Sequence, residues 1–208
     1  YLEGGSETFL EAIVAAIRRA GGSVLTAQRV DEVLVEAGAV RGVRVGDREH
    51  AHDAVISTVP LPFVPDMIPA LAPETLARYR AIDNIAVVCV LAKLAVPYSD
   101  CFWLNISDPE ITFPGVIEYS NLCPRRAHVL YVPFYLPGEH EDYARPDSWF
   151  IEETRRQLLR MNPRLRETDI LALRAGRYRY AQPICPPGFL ERLPPVDPGV
   201  RGLLVADT

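Results

Sequence analysis

Proline is the residue that most limits what this chain can fold into. It fills 19 of 208 positions, roughly 9% against a usual value near 5%. Its ring fixes φ and removes the amide hydrogen, which bars it from helix interiors and central strands and leaves first turns, edges and connections. The chain must therefore consist of modest elements joined by stiff, irregular connections. Pro60, Pro62, Pro65, Pro69 and Pro73 crowd one region of short helices up to about Ile82, and an extended connector runs from Pro183 to Pro198. Composition shifts at Pro60, and a domain boundary is expected there.

Hydrophobic residues make up 49% of the chain and charged residues 24%, the balance of a globular protein with one large core or two modest ones. The net charge of -5, with arginines scattered among acids, excludes the concentrated basic surface that nucleic acid requires. The longest apolar run, Ile85 to Ala92, is closed by Lys93 and is far short of the ~20 residues that cross a bilayer. No transmembrane segment is expected. Cys89, Cys101, Cys123 and Cys185 form no C-x-x-C pair, so neither a zinc knuckle nor a redox dithiol is indicated and a cytoplasmic location fits. The sequence opens at Tyr1-Leu2-Glu3 and closes at Leu203 to Thr208 inside a strand-like run, so both ends read as cut.

Phe9, Leu10, Ile13, Val14 and Ile17 recur at helical spacing and predict one buried stripe. The helix is expected to start with Ser6 as N-cap or Thr8 and Glu11 as a capping box, and to end at Gly21-Gly22. A short strand is expected at Val24 to Thr26. A hairpin follows, with arms Val30 to Val35 and Val40 to Val45 around Glu36-Ala37-Gly38. Asp47 to His50 then turns the chain into a fully buried, parallel strand at Asp53 to Thr58. Beyond the prolines lie strands at Ile85 to Leu94, Phe102 to Ile106, Gly115 to Tyr119, His128 to Pro133 and Ile170 to Tyr178, a helix at Ser148 to Met161, and a last strand at Gly202 to Ala206. The class is mixed α/β (α+β).

Three stretches in this order carry a resemblance: Tyr1-Leu2-Glu3-Gly4-Gly5-Ser6 before a helix, Gly21-Gly22-Ser23-Val24 with Val30 and the Gly42-Val43 hairpin, and Ala54-Val55-Ile56-Ser57-Thr58-Val59-Pro60. Together with the closing Gly202-Leu203-Leu204-Val205-Ala206-Asp207-Thr208, they are similar to the FAD-dependent superfamily of amine oxidases, protoporphyrinogen oxidases and phytoene desaturases. The resemblance implies the remnant of an FAD-binding Rossmann-like sheet with a β-hairpin in residues 1–60. It implies a substrate domain of antiparallel sheet backed by helices in 61–198, and a strand returning to the first domain in 199–208. The family's Gly-x-Gly-x-x-Gly turn, which brings a helix N-terminus to the pyrophosphate, does not occur in this sequence. The resemblance therefore places FAD in the intact parent and not in this fragment, which is expected to be inactive alone.

By that resemblance Val30, Thr58, Pro60 and Asp207 stand where family members approach the cofactor. Read from the residues alone, Val30 is a hairpin residue, Pro60 a boundary proline and Asp207 a solvated terminal acid. Glu118, Tyr119, Asn121 and Tyr180 lie on or beside apolar strands and are candidates for the substrate, with wet tyrosines bordering a core as the plain alternative. His50, His52, His128 and His140 show no ligand or triad pattern, so no metal and no catalytic side chain is assigned. The expected parent activity is dehydrogenation of a largely apolar or amine substrate by hydride transfer to flavin. A flavin-dependent isomerase or mutase on the same fold and a non-catalytic binding domain are the alternatives. A small-molecule substrate is the expected partner, and a homodimer is left open.

Overall fold

A computed structural model describes residues 5–123 and 127–206. In chain order the elements are helix α1 (Ser6–Arg19), strands β1 (Glu32–Glu36), β2 (Ala39–Val45), β3 (Arg48–Ala51) and β4 (Val55–Ser57), and helices α2 (Val64–Met67) and α3 (Pro73–Arg80). Then come β5 (Asn84–Leu94), β6 (Trp103–Asn105), β7 (Gly115–Glu118), α4 (Tyr119–Leu122), β8 (His128–Pro137), α5 (Asp147–Met161), β9 (Ile170–Pro183), α6 (Phe189–Arg192) and β10 (Leu203–Val205). The mixed α/β class and the antiparallel sheet backed by a helix are those expected from the sequence.

The chain forms two compact units. One holds Gly21–Asp83 with the described part of Pro183–Thr208, and the other holds Asn84–Gln182 with α1. The division falls after Asp83, not at Pro60. The reason is that Leu61, Val64, Met67, Ile68, Leu71 and Tyr79 are buried in one cluster with Val33, Leu203 and Val205. Three of the five prolines of this region begin helices: Pro62 opens a 3-10 turn, Pro65 lies in the first turn of α2 and Pro73 in that of α3. A missing amide hydrogen costs nothing there.

In the first unit β1, β2 and β3 form an antiparallel sheet in that order, while β4 and β10 pair in parallel with Leu203 opposite Val55 and Val205 opposite Ser57. Gly202 makes the close approach feasible: its φ is +83°, and a Cβ there would meet the Asp53 carbonyl oxygen at 2.7 Å. Two expectations change here. Val24 to Thr26 is no strand and has no ladder partner among the described residues, and Leu25 is 74% exposed. The predicted strand at Asp53 to Thr58 shrinks to Val55–Ser57 and is covered on one face only, with Ile56 66% exposed. Apolar composition reports a tendency to be covered, but coverage needs neighbours on both faces, and the described residues supply one. A strand was also missed: Arg48–Ala51, expected as a turn, pairs with β2, and all four of its residues are exposed.

The second unit is a five-stranded sheet in the order β6-β7-β8-β5-β9. Alternate residues of β5 (Val88, Val90, Ala92, Leu94) and β8 (Leu130, Val132, Phe134) pack with Phe150 and Leu158 of α5 into the main core. Phe134 is its hub, with edge-on contacts to Phe113 at 5.4 Å and Phe150 at 5.0 Å between ring centroids. Pro133 is tolerated inside β8 because β7 pairs only as far as Ile117 with Tyr131, which leaves that edge of β8 without a ladder beyond it. Helix α1 departs from expectation. It starts on Gly5 with no side-chain cap, so neither Ser6 nor the Thr8 and Glu11 box is used. None of its residues is buried, and Phe9, Leu10, Ile13 and Ile17 stand exposed.

Candidate functional site

In the second unit, strand alternation divides the sheet into two unlike faces. The even positions from Val88 to Leu94 of β5 and from Leu130 to Phe134 of β8 are buried beneath α5, and the odd positions form the more open face, exposed at Leu91, Lys93, Tyr135 and Pro137 and mostly half-buried elsewhere, with Pro133 buried. Three registers align its centre: Trp103 of β6 lies opposite Ile117 of β7, Ile117 opposite Tyr131 of β8, and Tyr131 opposite Leu91 of β5. These four side chains make one row across four strands, on the order of 14 Å long at the usual strand spacing. Trp103 is 52% exposed, and Leu91 and Tyr135 are also open to solvent. The ring of Tyr119 stands edge-on to that of Tyr131, with centroids 5.8 Å apart. A large apolar surface with aromatic walls suits a bulky apolar ligand.

The polar candidates of this unit are placed differently from one another. Glu118 is 1% exposed, and its carboxylate accepts the amide hydrogens of Tyr98 (2.9 Å) and Ser99 (2.7 Å) and the Ser99 hydroxyl (3.1 Å). His128 Nδ1 lies 3.7 Å from its Oε1. The amide nitrogen of Asn121 donates to the carbonyls of Ser99 and Cys101, both at 2.9 Å. Glu118 and Asn121 are thus brought together by the loop after β5, which they fasten from two sides. Burial, and after it the negative charge of Glu118, pushes the Tyr98 phenol up to about 12. Tyr180 lies half-buried on β9 and Tyr119 opens α4. Cys89 sits on the open face, and burial raises its thiol, keeping it protonated and a poor nucleophile. Among the described residues no group of three His, Cys, Asp or Glu could hold a metal ion.

Trp103, Leu91 and Lys93 were not singled out in the sequence. The alternation along Val87-Val88-Cys89-Val90-Leu91-Ala92-Lys93 was the available signal, masked because both faces of the strand are largely apolar.

In the first unit, parallel pairing brings the carboxyl ends of β4 and β10 to the same edge: Ala206 donates its amide hydrogen to the Ser57 carbonyl at 2.9 Å. This is the edge at which α/β sheets hold ligands. Thr58 follows β4 there and is exposed, and Pro60 is half-buried two residues on. Val30 lies exposed in the segment before β1, which has no regular secondary structure. Asp207 lies outside the described residues.

Among the described residues no helix is long and apolar enough to cross a membrane. The family model for flavin-containing amine oxidoreductases matches residues 1–206. No curated protein matches the chain in sequence. Among solved structures, an oxidoreductase from Methanosarcina mazei superposes with a TM-score of 0.76 at 20% identity, over 98% of this chain and 49% of that one. A protein provisionally assigned as a protoporphyrinogen oxidase from Exiguobacterium sp. 255-15 gives 0.78 at 15% identity, over 100% and 47%. Reduced UDP-galactopyranose mutase gives 0.67 at 15%, over 88% and 41%. At these identities the likeness is one of fold, and the chain spans about half the length of these proteins. The match of that family model over residues 1–206 makes the chain a member of the flavin-containing amine oxidoreductase family.

Proposed function

We propose that this chain is the substrate-binding part of an FAD-dependent oxidoreductase that dehydrogenates a largely apolar or amine substrate. The observation that carries this reading is the open apolar and aromatic face of the five-stranded sheet, whose opposite face is a finished core, in a chain whose family is flavin-containing. Bound FAD would supply the hydride acceptor, and the protein's share would be to orient the substrate and exclude water. Trp103, Tyr119, Tyr131 and Tyr180 would present apolar walls with a few hydroxyls to set the substrate's orientation. Glu118 and Asn121 would act from behind by holding the 98–101 loop. Val30, Thr58, Pro60 and Asp207 would lie along the cofactor, and the exposed segment around Val30 and the shared strand edge at Thr58 fit such a role. All four cysteines are free, which suits a cytoplasmic protein.

The test is anaerobic mixing of apolar and amine compounds with the full-length, FAD-loaded protein. A substrate should bleach the flavin, and Tyr131→Ala should slow the bleaching by about tenfold or more, as expected when positioning contacts are lost. Turnover that requires pre-reduced flavin and leaves its spectrum unchanged would replace this reading with an isomerase or mutase.

A further inference from the structure

The sequence contains 27 acidic residues and a net charge of -5, and Lys93 is its only lysine. On the open face that balance is reversed. At the odd positions of β5, β6, β7 and β8 the residues are Ile85, Val87, Cys89, Leu91, Trp103, Asn105, Gly115, Ile117, Val129, Tyr131, Pro133, Tyr135 and Pro137, with one charged residue, Lys93, opposite Val129. Lys93 is exposed and lies two residues beyond Leu91, about 7 Å along the strand.

A second cation joins it from β9, the strand beside β5. Leu173 and Ala175 both pack into the core, so Arg174 between them faces the opposite way, onto the open side. Arg177, on the core side, is engaged by Asp147, whereas neither Lys93 nor Arg174 has an ion-pair partner among the described residues. Of the buried acids near these strands, Glu118 on an even position of β7 accepts the Tyr98 and Ser99 amides, and Asp169, whose carbonyl accepts the Ala95 amide, has its carboxylate paired with Arg166. The Ala95 amide on the Asp169 carbonyl and the Ile184 amide on the Asp83 carbonyl, both at 2.8 Å, run β9 antiparallel to β5 and bring Arg174 level with the Leu91 to Lys93 stretch. Two cations without an ion-pair partner at that end of an apolar row, with no carboxylate at its described strand positions, attract an anion and repel an ammonium.

We propose that the ligand of this face is an acidic amphiphile, with its apolar body along Trp103, Ile117, Tyr131 and Leu91 and its carboxylate on Lys93 and Arg174. This rests on the reading of the open face as the substrate surface, and it selects an acid over an amine.

Calorimetric binding of 4-phenylbutyrate, 4-phenylbutanol and 4-phenylbutylamine to the full-length, FAD-loaded protein tests it, because the three probes share one body and differ in head group. The acid should bind about tenfold more tightly than the alcohol, the range of hydrogen bonds to charged groups, and the amine most weakly. In the K93Q/R174Q double variant the acid should fall to the alcohol's affinity while the alcohol is unchanged. An acid that binds no better than the alcohol, or keeps its advantage in the double variant, overturns the inference and leaves the open face standing. If Tyr131→Ala and Leu91→Ser leave all three affinities unchanged, or no probe binds, the open face is not the ligand surface and both readings fall.

Discussion

Glu118 shows how a residue's neighbours decide its role. Its place at the end of an apolar strand marks it in the sequence as a candidate to touch substrate, yet its partners are amides 19 and 20 positions upstream, which no local pattern announces. A carboxylate that accepts three hydrogen bonds while buried is costly to remove: Glu118→Ala should destabilise the sheet unit by about 3 kcal/mol, measured by denaturant unfolding. Tyr98, beside it, offers a pH signature. Its phenol is raised by burial and by the charge of Glu118, so the folded value lies above the unfolded one of about 10. The stability linked to the neutral phenol is then complete below about pH 10 and is lost as pH rises toward about 12. Tyr98→Phe should remove that alkaline loss in thermal melts, and Glu118→Gln should lower the pH at which the phenolate absorbs. At the β1–β2 turn, Ala37 takes φ 49° ahead of Gly38 at 73°, the positive pair that favours Asn-Gly. Ala37→Asn should stabilise by about 0.5–1 kcal/mol in the same assay.

Elements were legible where at least one face is buried within the same unit and turn residues bound the run. The hairpin, the strands at 84–94 and 115–118 and the helix at 147–161 fall within a residue or two of expectation. Where coverage comes from elsewhere, periodicity misled. The stripe on α1 has the spacing of a buried helix and is exposed among the described residues, while β3, exposed at every position, carries no hydrophobic signal. The contrast makes a paired prediction for this chain. Phe150→Ala, at the centre of the aromatic cluster, should cost about 3–5 kcal/mol. Phe9→Ala on α1 should change unfolding free energy by less than about 0.5 kcal/mol. A large loss from Phe9→Ala would mean that the stripe is covered.

For the molecule as a whole, the mixed α/β class and the family were readable from the order of weak motifs, because glycine turns and buried strands fix that order more tightly than any one motif does. The unit boundary was not readable: prolines that start helices look like prolines that end domains. The proposed function, which rests on the family match over residues 1–206, makes a single requirement, that the full-length protein carry flavin. The direct measurement is the FAD content of the purified full-length protein, by its visible spectrum and by release of the cofactor on denaturation. The account predicts a yellow protein with stoichiometric FAD. A colourless protein that cannot be reconstituted with added FAD would contradict it and leave a binding domain on a flavoenzyme fold.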